Sequence, residues 1–235
     1  MQAGVLNLAD SDFLINHILQ KELVHLCAGP SGAGKTRWLL PMLFERWAKG
    51  ASILGHRSYP VPWAYVPMDR PYASVEQTLK SMSLPPWAIE TIPAMDLGYD
   101  SINQVIDHAV QLQVKLLVIE MFAYLLKGRQ TTESVREYMG AVQRALALHH
   151  LTIIGTMESP KMKPRDVYSN PRQRISGPAS WGHCAETIIM VEPVAGDPDG
   201  PKRTIGIYPR NSRAEVYRAI FRNDGRLHVV GSNKG

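Results

Sequence analysis

Eight consecutive residues, Gly29-Pro30-Ser31-Gly32-Ala33-Gly34-Lys35-Thr36, constrain this chain more than any other feature. They fit G-x-x-x-x-G-K-[ST]. The apolar stretch 23–28 before them reads as a buried strand, and 34–48 reads as a helix that Pro41 bends or shortens. Between a strand and a helix, this pattern is a phosphate cradle. Glycine lets the backbone curl so that its N–H groups point inward, and the helix N-terminus adds a positive dipole end. Lys35 would then reach the β- and γ-phosphates, and the Thr36 hydroxyl would ligate Mg²⁺. The expected cofactors are therefore ATP and Mg²⁺, held by Gly29 through Thr36.

The rest of the chain reads as alternating strands and helices. A helix is expected over 9–21, from the spacing of Leu14, Ile15, Ile18 and Leu19. A strand runs near Trp63–Met68, with Pro71 opening a helix to about Ser81. Ser101-x-x-Gln104 is a capping box for a helix with Ile102, Val105, Ile106 and Val110 on one face. Leu116 to Ile119 form a buried-strand pattern. A helix over 132–148 turns Val135, Tyr138, Met139, Val142 and Leu146 inward, and 151–156 make the next strand. Strands near 185–192, 203–208, 214–222 and 226–230 close the chain. The expected fold is α/β: a central, mostly parallel sheet with helices on both faces and an antiparallel extension at the C-terminal end. A single domain over 1–235 fits, since the length is about one and a half typical domains.

Composition excludes several classes. Charged residues are 20% and hydrophobic residues 45%, an ordinary globular balance. The two cysteines, Cys27 and Cys184, lack the companions of a zinc site and suit a reducing, cytoplasmic setting. No apolar run approaches the ~20 residues that span a bilayer, so no membrane partner is expected. The net charge of +5 permits a polyanionic partner without requiring one.

In open α/β sheets the site lies at the carboxyl ends of the strands. Three carboxylates fall there: Asp69, Glu120 and Glu158. Glu120 would hold Mg²⁺ or the attacking water. Asp69 would orient or deprotonate that water, or else cap the helix that Pro71 opens. Glu158 would sense the γ-phosphate, or is a plain loop carboxylate.

Taken together, these motifs resemble the RecA-fold ATPases and, among them, the RepA-like hexameric helicases of plasmids and phages, over roughly residues 20–230. The carriers are the phosphate loop, Ala64-Tyr65-Val66-Pro67-Met68-Asp69-Arg70-Pro71, Leu116-Leu117-Val118-Ile119-Glu120, and Arg174-Ile175-Ser176-Gly177-Pro178-Ala179-Ser180-Trp181-Gly182-His183. The last is similar to the family's R-x-S-G-x-x-x-W stretch. The resemblance implies that Asp69 stands where a water-polarising Glu is usual, Glu120 where the metal-side Asp is usual, and Glu158 where a polar sensor, often His, is usual. It also implies a homo-oligomer, a hexameric ring, in which Arg210 or Arg213 of one subunit stabilises charge in the next; both also read as surface charge on a turn.

Residues 158–180 form an expected mobile basic loop carrying Lys161, Lys163, Arg165, Arg172 and Arg174. Such a loop can track the phosphates of single-stranded DNA, grip a nucleotide as a lid does, or simply be solvated. The leading expectation is thus a DNA-binding ATP-hydrolysing motor in replication or recombination. The alternatives are a nucleoside or nucleotide kinase, suggested by Asp69-Arg70, and an ATP-dependent loader or recombination mediator.

Overall fold

The computed structural model describes residues 12–160, 170–194, 197 and 199–233. Its first elements are two short antiparallel strands, β1 (Phe13–Ile15) and β2 (Leu19–Gln20), where the spacing predicts a helix. Leu14, Ile15, Ile18 and Leu19 are all buried as expected. The backbone differs because it pairs with a distant segment: Tyr59 N–H donates to Leu14 O at 2.8 Å and Asn16 N–H to Arg57 O at 2.9 Å. His17, at φ 59°, turns the chain between the two strands.

β3 (Val24–Gly29) is buried at every residue, the signature of a parallel strand covered on both faces. It feeds the phosphate loop and α1 (Lys35–Pro41). Pro41 has no N–H to give the turn before it, and the helix relaxes into one π turn, Met42–Arg46, then a 3₁₀ turn, Trp47–Lys49. There follow β4 (Trp63–Pro67), α2 (Tyr72–Ser81), α3 (Ile102–Gln111), β5 (Leu116–Glu120), α4 (Thr132–His149) and β6 (Thr152–Glu158). Gln104 reaches back to the Ser101 N–H at 3.1 Å, completing the predicted cap of α3. The inward face of α3 differs by one position: Ala109 is buried and Val110 is exposed. α5 (Ser180–Cys184), β7 (Thr187–Pro193), β8 (Lys202–Pro209), β9 (Glu215–Phe221) and β10 (Leu227–Asn233) complete the chain.

The main sheet has the order β10-β9-β8-β7-β3-β6-β5-β4. Strands β7, β3, β6, β5 and β4 run parallel, and β8, β9 and β10 extend the sheet antiparallel. Side chains alternate between two cores. Cys27, Leu116 and Val118 pack with Trp38, Leu43 and Leu79 of the α1–α2 layer. Leu26, Leu117 and Ile119 pack with Val105, Val142 and Trp181 of the α3–α4–α5 layer. The β4 edge is closed by the passing chain, where Tyr65 N–H donates to Glu90 O and Ile92 N–H to Tyr65 O. Among the described residues, no helix is long and apolar enough to cross a membrane.

Register brings the strand ends together. Gly29 pairs with Glu158, Pro67 with Glu120, and Ile119 with Gly155. Gly155 is required there, because a Cβ on it would lie 2.7 Å from Phe122 Cβ and Cγ. Gly155→Ala is expected to lose about 1–3 kcal/mol of stability in urea unfolding; an unchanged midpoint would show that Phe122 gives way freely.

Candidate active site

The phosphate loop takes the backbone that its glycines permit. Gly32 and Gly34 sit at φ 74° and 99°, and Gly34 is the residue that caps α1. A Cβ on Gly34 would meet the Phe221 ring at 2.4 Å, so β9 packs directly against the loop. Arg203 of β8 donates from Nε to Ala33 O at 3.3 Å and stands 5.0 Å above the Phe221 ring. Arg37 donates to Gly225 O in the β9–β10 turn at 2.5 Å.

Lys35 folds back over the loop and donates to Gly29 O at 2.8 Å and Pro30 O at 3.1 Å. Burial pushes its ammonium pKa down, and Cys27, Glu158 and Glu120 oppose that shift. Beside it, the Thr36 hydroxyl donates to Glu120 Oε1. Glu120, at the end of β5, also accepts from the Tyr65 hydroxyl and from Arg70 at 2.5 Å, both on Oε2. Arg70 Nε lies 3.5 Å from Asp69 Oδ1, and its NH1 donates to Thr78 Oγ1 at 3.1 Å. Burial raises the Asp69 pKa, helped by the nearby Glu120 and opposed by Arg70. Tyr65 is held protonated by burial and by the same carboxylate.

Lys35, Thr36, Asp69, Arg70, Thr78 and Glu120 line one cavity of about 300 Å³, together with Ser31, Met121, Thr156 and Glu158. Met121 has φ 60°, and its N–H donates to Thr156 Oγ1 at 2.9 Å, which ties the end of β5 to β6. A larger cavity of about 690 Å³ lies beyond α1, between the π turn and β10, and none of the phosphate-loop residues lines it.

The structure thus gathers Lys35, Thr36, Asp69, Glu120 and Glu158 in one place. Arg210 and Arg213 lie elsewhere. The Arg210 N–H donates to Glu186 O, just before β7, so the β8–β9 turn sits at the amino ends of the parallel strands, opposite the chain's own phosphate loop. The Arg210 side chain pairs with Glu186 at 3.5 Å and donates to Ala185 O at 3.2 Å.

Two of the five basic-loop residues have work inside the fold. Arg172 donates to four backbone carbonyls: Gly182 and Ala185 from NH1, Glu186 and Tyr208 from NH2. Arg174 makes a buried ion pair with Glu192. Neither presents a free guanidinium to a phosphate backbone. Part of the expected loop is ordered structure, since β6 runs to Glu158 and Pro171–Gln173 make a 3₁₀ turn. Lys161, Lys163 and Arg165 lie outside the described residues.

Several residues of the site had no motif of their own. Tyr65 belonged to an apolar strand pattern, and only the pairing of β4 with β5 sets it beside Glu120. Arg70 was visible as part of Asp69-Arg70-Pro71, with a role only in the kinase alternative. Thr78 and Thr156 carry no local signal.

The donor set suits Mg²⁺. Hydroxyl and carboxylate oxygens meet at Thr36 and Glu120, and among the described residues no cluster of three or more His, Cys, Asp or Glu forms a cage. Mg²⁺ is usually held by one or two protein oxygens with substrate phosphates supplying others, which is what this arrangement offers.

A comparison with solved structures finds the same architecture. A KaiC-like protein from the hyperthermophilic archaeon Pyrococcus horikoshii superposes with a TM-score of 0.60, at 16% sequence identity, over 94% of this chain and 98% of that one. The chain has a RecA-like fold. No protein-family model matches the sequence, and no curated protein matches it. The likeness extends to the RecA fold and does not reach the RepA-like helicases that the motifs resemble.

Two outcomes follow. Arg172→Ala strands four carbonyls and is expected to lose about 2–3 kcal/mol in chemical unfolding, with Arg172→Lys restoring little, because one ammonium cannot span four acceptors. Cys27 is fully buried and its thiol is pushed up to about 12 by burial, so almost no thiolate exists at about pH 8. A thiol reagent should therefore titrate only Cys184 in native protein and both cysteines after denaturation.

Proposed function

We propose that this chain is a Mg²⁺-dependent ATP hydrolase. The carrying observation is the convergence of Lys35, Thr36 and Glu120 at the mouth of a glycine-shaped loop, with Asp69 on the same wall. Gly29 through Thr36 would hold the phosphates, and Thr36 and Glu120 the cation. Bound Mg²⁺ would supply charge neutralisation along the phosphates. Lys35 exchanges the carbonyls of Gly29 and Pro30 for phosphate oxygens, a short move of a flexible side chain. Asp69, whose pKa burial and the nearby Glu120 raise, is suited to orient water and accept its proton. Glu158 lies between the loop and Glu120 and is placed to respond to the terminal phosphate.

The ring-forming motor on single-stranded DNA is the finer form of this proposal. It is supported by the order of the motifs and by Lys161, Lys163 and Arg165. In it, Arg210 or Arg213 would serve the neighbouring subunit's site, since the β8–β9 turn lies at the amino ends of the parallel strands. The alternative kinase reading draws on Asp69-Arg70, which lies on the wall of the same cavity.

Phosphate release measured with and without single-stranded DNA tests the reading. Lys35→Ala and Glu120→Gln are each expected to lower turnover by about 10²-fold or more. The acid limb of the pH–rate profile should lie above an ordinary carboxylate pKa and disappear in Asp69→Asn. Phosphate transfer to a nucleoside acceptor without release to water would replace the hydrolase with a kinase. Release indifferent to DNA would remove the motor and leave the hydrolase.

A further inference from the structure

The hydrolase reading gives Arg70 no part, yet Arg70 occupies the group on which the site turns. Glu120 has two oxygens, and both are taken: Oε1 by the Thr36 hydroxyl, Oε2 by the Tyr65 hydroxyl and the Arg70 guanidinium. The carboxylate suited to face a metal cation already faces a cation of the chain itself. Arg70 is held there through NH2 on Glu120 and NH1 on Thr78, and the third nitrogen is left over. Its Nε is buried without a hydrogen-bond partner, with Asp69 Oδ1 3.5 Å away. Its side chain lines the cavity that also holds Lys35, and it is about one quarter exposed. It is therefore reachable from the cavity and incompletely satisfied where it stands.

Charge arithmetic indicates what moves it. Lys35, Arg37 and Arg70 line the cavity against Asp69, Glu120 and Glu158, so the wall is balanced as it stands. Arg37 is committed to Gly225 O at 2.5 Å. A divalent cation beside Glu120 would sit against the Arg70 guanidinium and be repelled. A triphosphate at Lys35 would offer that guanidinium a stronger acceptor, with bidentate geometry available. If Arg70 turns to the phosphates as Glu120 turns to the cation, neither is left buried and unpaired.

We infer that Arg70 is the residue that distinguishes a nucleoside triphosphate from a diphosphate. In the ligand-free protein it occupies Glu120 and keeps metal out. With a triphosphate it turns to the terminal phosphate and leaves Glu120 to the cation. A diphosphate lacks the γ-phosphate that it would meet, so the pair with Glu120 persists. This rests on the nucleotide reading above. It goes further by assigning to this chain's own arginine the discrimination otherwise expected of a neighbour's.

The test compares wild type with Arg70→Gln and Arg70→Lys. Mn²⁺ alone is titrated and followed by the loss of its free electron-paramagnetic signal. ATP and ADP affinities are measured separately by calorimetry with Mg²⁺ present. Arg70→Gln should bind Mn²⁺ about tenfold tighter than wild type without nucleotide, since a charged hydrogen bond no longer competes. It should also lose about tenfold of the preference for ATP over ADP, with ADP affinity little changed. Arg70→Lys keeps the charge without the fork and should fall between the two, a readout that stands if the Gln variant unfolds. Unchanged Mn²⁺ affinity with an unchanged ATP-to-ADP ratio overturns the inference and leaves Arg70 a structural brace for Glu120. Lys35→Ala, expected to lose both nucleotides, reports separately on the phosphate loop. The Mn²⁺ titration needs no nucleotide, so it reads the Arg70–Glu120 pair even where the hydrolase reading fails.

Discussion

Glu120 is 8% exposed as a residue, and a charge so placed destabilises a fold unless donors surround it. Its donors come from three parts of the chain: Thr36 from α1, Tyr65 from β4 and Arg70 from the loop before α2. These meet only because β4 lies beside β5 and the phosphate loop rises from β3, one strand beyond β6. The satisfied carboxylate is thus a direct consequence of strand order. Removing any one donor leaves a buried acceptor short of a partner. Under the proposed reading, an incoming cation would have to compete with groups already in place.

The antiparallel strands belong to the site as much as the parallel ones do. Phe221 covers Gly34, Arg203 holds the Ala33 carbonyl, and Arg37 is tied to the β9–β10 turn. A glycine at position 34 serves two needs at once: a left-handed backbone and room for an aromatic ring. The phosphate loop is therefore packed from above by the C-terminal extension as well as carried from below by β3.

The segment after β6 shows how arginines that look alike in sequence part company in the fold. Arg172 stitches α5, the start of β7 and the end of β8 together through their carbonyls. Arg174 neutralises Glu192 inside the sheet layer. Trp181 packs edge-on to Phe122 and Tyr138 and donates to Gln130 at 3.1 Å. The R-x-S-G-x-x-x-W stretch is thus a folding element that joins the end of β6 to β7, which accounts for residue types that a solvated loop would not need.

The phosphate loop, the five parallel strands, the helices α3 and α4, and the carboxylates at strand ends were legible in the sequence, because each depends on neighbours a few residues away. Glycine freedom, period-2 and period-3.6 burial, and capping are local physics. The β1–β2 pair escaped, because Leu14, Ile15, Ile18 and Leu19 suit a buried hairpin as well as a helix face, and the pairing with Arg57 and Tyr59 decided between them. Tyr65 and Arg70 escaped for the same reason: nothing within ten residues of either says that a carboxylate from position 120 will stand beside it. The chemistry available at the phosphate loop was determined by the sequence alone. Which partner each charge keeps was decided by the tertiary structure, since pairing energies depend on distance and burial, and those exist only once the strands have taken their order.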